Sequence, residues 1–87
     1  MFVNAQEMKK QYPNTFEAPT TKELNALKKG DIVKVCYNDQ ERFWVILTSV
    51  RGQKLKGKVD NILLTPDLSL GDTIEFEKKN VYDIINE

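Results

Sequence analysis

After Gly30 the hydrophobic pattern changes to a period of two, although in 42–50 both faces are apolar at the centre. The segments "DIVKVCY" (31–37), "RFWVILTSV" (42–50), "QKLKGKVD" (53–60), "TIEFE" (73–77) and "VYDII" (81–85) all read with a period of two, the mark of strands with one buried face. The turn-rich "NDQE" separates the first two, and Arg51-Gly52 makes a tight turn into the third, so these three are predicted to form an antiparallel meander. "NILLTPDLS" is a connection with apolar contacts of its own, broken at Pro66, and Lys78-Lys79-Asn80 joins the last two strands. Five short, strongly bent strands around one small core predict a mainly β fold with a minor α+β component. The architecture expected is a small SH3-like five-stranded antiparallel barrel rather than an open sheet.

Before residue 31 the pattern is different. Asn4 followed by Glu7 has the form of a capping box, and a short helix can run from there to Tyr12-Pro13, because a residue before proline leaves the helical region. "YPNTFEAP" has two prolines and no periodicity, which predicts an extended segment anchored by Tyr12 and Phe16. Thr20 and Glu23 form a second capping box, opening one or two turns that carry Leu24 and Leu27 on one side and end at Gly30. The expected organisation is one domain: an arm and short helix over residues 1–29, packed on a barrel of residues 30–87.

One device occurs twice. "LKKGDIVKV" (27–35) returns in altered form as "LSLGDTIEF" (68–76). In each, glycine supplies a turn conformation that other residues resist, aspartate is expected to bond the backbone just beyond it, and the chain enters a strand.

At 87 residues the chain supports one modest core and no deep interlobar cleft. With 40% hydrophobic and 30% charged residues it is too apolar for disorder, and no apolar run is long enough to span a membrane. The start, "MFVNAQEMKKQYP", has no continuous apolar segment, so the expected location is the cytoplasm. Thirteen basic residues balance thirteen acidic ones, and no overall field draws in nucleic acid or an anionic membrane. Locally the balance fails: Arg51, Lys54, Lys56 and Lys58 lie close together, while Asp67, Asp72, Glu75, Glu77, Asp83 and Glu87 load the C-terminal third.

That composition excludes several chemistries. There is no histidine, so the commonest general base and the nucleophile pairs built on it are missing. The lone Cys36 has no partner for a disulfide or a zinc site, and reads as a small apolar residue in a strand rather than a reactive thiol. Glu75 and Glu77 share a strand face, where two carboxylates either hold a proton or a cation or simply meet solvent opposite Ile74 and Phe76. Alternation alone accounts for the second use. No catalytic, cofactor or metal residue is assigned, and the chain is read as a non-enzyme.

Two surface features point to binding. Lys54, Lys56 and Lys58 alternate with Leu55, Gly57 and Val59, which sets three ammonium groups about 7 Å apart on one strand face, near the spacing of phosphates. The same lysines guard against edge-to-edge pairing, or face Glu75 and Glu77 across strands. Gly57 marks a bulge or sharp bend, or else the close approach of a ligand. In "RFWVILTSV", Phe43, Val45 and Leu47 are the better core set, leaving Trp44 and Ile46 on the other face beside Arg42. Trp44 is then covered by the N-terminal segment through Phe16, Leu24 and Leu27, or it is exposed and forms an aromatic and cationic patch with Arg42 and Tyr37. Asp60-Asn61 reads as a turn pair bonding local backbone.

The motifs "YPNTFEAP", "LKKGDIVKV", "ERFWV", "GKVDN" and "LGDTIEFEKKNVYDI", in this order and spacing, resemble the bacterial family called domain of unknown function 2314, over the stretch from Tyr12 to Ile85. The sequence departs from the resemblance at Glu17-Ala18, where an aromatic or aliphatic residue is expected before Pro19. The resemblance implies a fold and no activity. The function expected is a protein or peptide interaction module centred on Arg42, Trp44 and Tyr37. The alternative is weak nucleic-acid binding through Arg51, Lys54, Lys56 and Lys58. No cofactor and no membrane partner are expected.

Overall fold

Two capped helical turns precede the sheet in the computed structural model, which describes residues 2–14, 16–38, 41–64 and 67–85. Helix α1 (Ala5–Gln11) starts where Asn4 Oδ1 accepts from Glu7 N at 3.1 Å, satisfying one of the orphan donors of the first turn. Helix α2 (Thr21–Asn25) has the complete reciprocal box. Thr20 Oγ1 accepts from Glu23 N, and the Glu23 carboxylate accepts from Thr20 N. It ends before Gly30, so Leu27 is buried from the following turn rather than from the helix itself.

The protein is mainly β: strands β1 (Ile32–Tyr37), β2 (Glu41–Arg51), β3 (Lys54–Val59), β4 (Thr73–Glu77) and β5 (Asp83–Ile85) form one antiparallel sheet in the order β4-β3-β2-β1-β5. The 3-10 turn Lys78–Asn80 joins β4 to β5, the two edge strands of this order. Long β2 pairs with β1 through its first half and with β3 through its second, and the register shifts between Leu47 and Ser49. A bulge bends the strand there. The bend brings the inner residues of both halves, among them Val33, Val35, Phe43, Val45, Leu47, Leu55, Val59 and Phe76, into one core cluster.

Gly57 stands opposite Leu47 at this bend and is buried. A Cβ on it would lie 2.5 Å from Val45 Cγ1 and 2.7 Å from the Ile46 carbonyl oxygen, so close backbone packing explains the glycine. The β2–β3 turn is Gly52-Gln53, one residue later than expected. The turn expected at "NDQE" runs through Asp39 and Gln40, and these, like Pro66, lie outside the described residues.

Gly30 and Gly71 adopt left-handed backbone angles, φ +96 and +88, which favour glycine. Each then docks on a neighbouring strand by two main-chain bonds. Gly30 N donates to Leu47 O and Leu47 N to Asp31 O, both at 2.8 Å; Gly71 N donates to Val59 O at 2.8 Å and Val59 N to Asp72 O at 2.9 Å. The repeated motif thus starts β1 along β2 and β4 along β3 by the same construction.

The arm closes one end of the barrel. Phe2 bridges to Tyr37 and lies within 5.4 to 6.4 Å, ring centroid to centroid, of Tyr37, Phe43 and Phe76. Buried Asn80 holds it there, donating to the carbonyls of Phe2 and Val3 while accepting from Glu77 N. Val3 N donates to Cys36 O, and Cys36 is buried. Tyr12 is 52% exposed, and its backbone carbonyl accepts from Phe16 N. Pro19 is buried instead, its carbonyl accepting from Gln6 Nε2 at 2.8 Å, and this is where the segment departing at Glu17-Ala18 docks.

Candidate functional site

Strand parity decides which side chains share the outer surface. The pairings Lys34 with Trp44, Lys34 with Asp83, Cys36 with Arg42, and Ile32 with both Ile46 and Ile85 put all of these on the face opposite the core. Arg42 and Trp44 are therefore brought together as expected from the sequence, two positions apart on β2. Tyr37 is not: it pairs with Glu41 on the other face, packs against the core and meets Phe2 edge to face. Its place in the expected patch is taken by two residues the sequence reading passed over, Lys34 and Tyr82.

Both cations rest on rings. Lys34 Nζ lies 4.7 Å from the centroid of Trp44, and Arg42 Cζ lies 5.0 Å from the centroid of Tyr82. Each stack contributes about 0.5–1 kcal/mol at an exposed site and holds a long, mobile side chain in one place. Neither cation has a carboxylate within ion-pair distance among the described residues.

Trp44 is half-buried, and its cover is not the one expected. Leu24 and Leu27 belong to the barrel core, and Phe16 seats edge-on against Tyr82 at 4.9 Å. The tryptophan ring is capped by Lys34, while its backbone N–H donates to Asn61 Oδ1. Asn61 thus bonds a strand seventeen residues away in sequence rather than its own turn.

Between the extended arm and this face lies an open cleft of about 570 Å³, walled by Phe16, Pro19, Lys34, Arg42, Tyr82 and Asp83 among others. The volume is in the range of ligand sites. Glu23 also lines it, and its carboxyl is held below the usual range by the Thr20 backbone N–H first and the Thr20 hydroxyl second.

The lysine row is placed as expected. Lys54, Lys56 and Lys58 are exposed on the outer face, with Arg51 opposite Lys54. Across β4, Lys54 faces Glu77 and Lys56 faces Glu75, the latter pair at 3.4 Å, while Lys58 faces Thr73. Glu77 also lies 3.8 Å from Lys79. A groove of about 320 Å³ runs between Arg51, Lys54, Lys56 and Glu75. Among the described residues no group of three or more Cys, Asp or Glu side chains is arranged to hold a metal ion, and no helix is long and apolar enough to cross a membrane.

No protein-family model, curated protein or solved structure matches the chain. Its chemistry is therefore read from its own geometry.

Proposed function

We propose that the chain is a non-catalytic interaction module that receives a protein or peptide segment on the outer face of β1 and β2. The observation that carries this reading is the pair of ring-stacked cations, Lys34 on Trp44 and Arg42 on Tyr82, set side by side at the mouth of an open cleft. Tryptophan, tyrosine and arginine are the side chains that dominate binding energy at protein interfaces. Here two such groups are pre-oriented, which lowers the entropy lost when a partner fixes them. Membership in the domain of unknown function 2314 belongs to the same proposal and rests on motif order. So does a cytoplasmic location, which fits a single buried cysteine with no disulfide partner.

The test is a pull-down with the intact chain against its Arg42→Ala and Trp44→Ala variants, with circular dichroism to verify that each still folds. Partners lost from folded variants support the reading, and an unchanged partner set overturns it.

The second reading, nucleic-acid binding through Arg51, Lys54, Lys56 and Lys58, is favoured by the exposure of all four on one face. Glu75 and Glu77, directly across from two of the lysines, weigh against it, because carboxylates beside a phosphate track repel it.

A further inference from the structure

The outer face that carries the proposed partner site has a composition unusual for a solvated sheet surface. A row of three isoleucines, Ile85, Ile32 and Ile46, crosses β5, β1 and β2. Ile46 and Ile85 are each 37% exposed. The next row holds Trp44. Outward positions on antiparallel sheets are ordinarily polar, and adjacent apolar side chains left at the surface mark contact sites.

Charge surrounds this stripe unevenly. The outward positions of the five strands hold six of the thirteen cations, Lys34, Arg42, Arg51, Lys54, Lys56 and Lys58, but only three of the thirteen carboxylates, Glu75, Glu77 and Asp83. The chain is neutral as a whole, so these outward positions hold a local excess of positive charge, with Glu17 and Glu23 of the arm facing Lys34 and Arg42 across the cleft. Three of those cations border the stripe. Lys34 and Arg42 lie beside Trp44, and Lys58 is the register partner of Ile46, while Asp83, the register partner of Lys34, is the one carboxylate in the row next to the isoleucines. None of the three has a carboxylate within ion-pair distance among the described residues, whereas Lys28, Lys56 and Lys79 all do.

From this arrangement we infer that the partner is an acidic peptide segment with an aliphatic or aromatic anchor, the anchor resting on the Ile32–Ile46–Ile85 stripe and its flanking carboxylates meeting Lys34, Arg42 and Lys58. This deepens the interaction reading and rests on it. The charge pattern names the partner because Lys34 and Arg42 are already desolvated on one side by rings, and all three cations gain carboxylate bonds without first breaking ion pairs. A basic segment meets like charge at three points. A nucleic acid finds phosphate contacts, but leaves the isoleucine row facing a polar backbone.

A random twelve-residue peptide display library, selected on the intact chain at low salt, is the probe. Trp44, the only tryptophan, reports binding at the site through its own fluorescence. Enriched peptides are expected to carry at least two more acidic than basic residues around an apolar anchor and to shift Trp44 emission. Their affinity is expected to fall about tenfold or more in the Lys34→Gln/Arg42→Gln double variant, and again between low and high salt. Because these side chains point outward, the double variant is expected to fold, with its melting temperature lowered only by the loss of the two ring stacks. Peptides that shift Trp44 without an acidic bias overturn the inference and leave the interaction reading standing. Failure to select any peptide that shifts Trp44 overturns both. A thymidine oligonucleotide that displaces the selected peptides and binds more tightly overturns the inference in favour of nucleic acid.

Discussion

Asp31 and Asp72 make the same turn. Each carboxylate accepts from the backbone N–H three residues earlier, Lys28 at 3.0 Å and Ser69 at 2.9 Å, and each aspartate N–H donates back to that residue's carbonyl at 3.1 and 3.0 Å. The aspartate thus closes the turn behind it, not ahead of it, and leaves its own carbonyl free to accept from Leu47 or Val59. Asp31→Ala and Asp72→Ala are each expected to cost about 1 kcal/mol, the net worth of a hydrogen bond that water partly replaces. The two turns share no partner, so the double variant is expected to show the sum. Urea denaturation measures all three. A double variant much less stable than the sum would mean that the turns are coupled through the core.

Acid is expected to destabilise the protein through Asp31. Burial raises the carboxyl's pKa, but the hydrogen bonds and charge of Lys28 outweigh it, and the net value lies below the ordinary 3.8. A depressed folded-state pKa means that the folded state prefers the ionised form. The stabilisation is present above the unfolded value and is lost as pH falls through the folded one. Thermal melts from pH 6 to pH 2 are expected to drop more steeply below about pH 4 in the natural chain than in Asp31→Asn, which cannot titrate. Superimposable curves for the two proteins would remove Asp31 from the acid transition.

Gly57→Ala tests the bend. The new methyl group meets a valine methyl and a backbone carbonyl, both closer than real contacts allow, and a carbonyl in a central strand cannot step aside as a flexible side chain can. Overpacking of this kind costs about 1–3 kcal/mol, and each kilocalorie lowers the melting temperature of a domain this size by about 4–8 °C. An unchanged melting temperature would show that β2 and β3 part easily at the bulge.

The sheet was legible in the sequence because its signals are local: period-two alternation marks each strand, and Gly-Asp marks two of the starts. Phe43, Val45 and Leu47 were recognisable as core from their alternation with Arg42, Trp44 and Ile46. Tyr37 belongs with the core by the same rule, since it alternates with Val33 and Val35 along β1; its aromatic and polar ends suit either face, and only the structure shows Phe2 covering it. With Tyr37 opposite Glu41, Arg42 falls opposite Cys36 and reaches Tyr82 instead. Phe2 was not legible at all. Nothing near it in sequence announces that it seats on Tyr37, Phe43 and Phe76, contacts that exist only after the barrel has closed. The same holds for Lys34 on Trp44, a pair made by strand register alone.

The lysine row separates the two functional readings by its response to salt. Three independent phosphate contacts would give a slope of log affinity against log salt near −2 for a single strand, at roughly −0.7 per contact. Register cuts that number. Lys54 and Lys56 face Glu77 and Glu75, and only Lys58 has a neutral residue across the strand. A labelled thymidine oligonucleotide followed by fluorescence anisotropy is therefore expected to bind no more tightly than about 1 μM at low salt, with a slope near −0.7. The Glu75→Gln/Glu77→Gln variant removes both opposing carboxylates and is expected to steepen the slope toward −2. Lys54→Gln/Lys56→Gln/Lys58→Gln is expected to flatten it without unfolding the domain, because outward side chains on a strand contribute little to the core. A natural chain that binds clearly below 1 μM with a slope already near −2 would mean that Glu75 and Glu77 do not shield the lysines, and nucleic acid would become the leading partner.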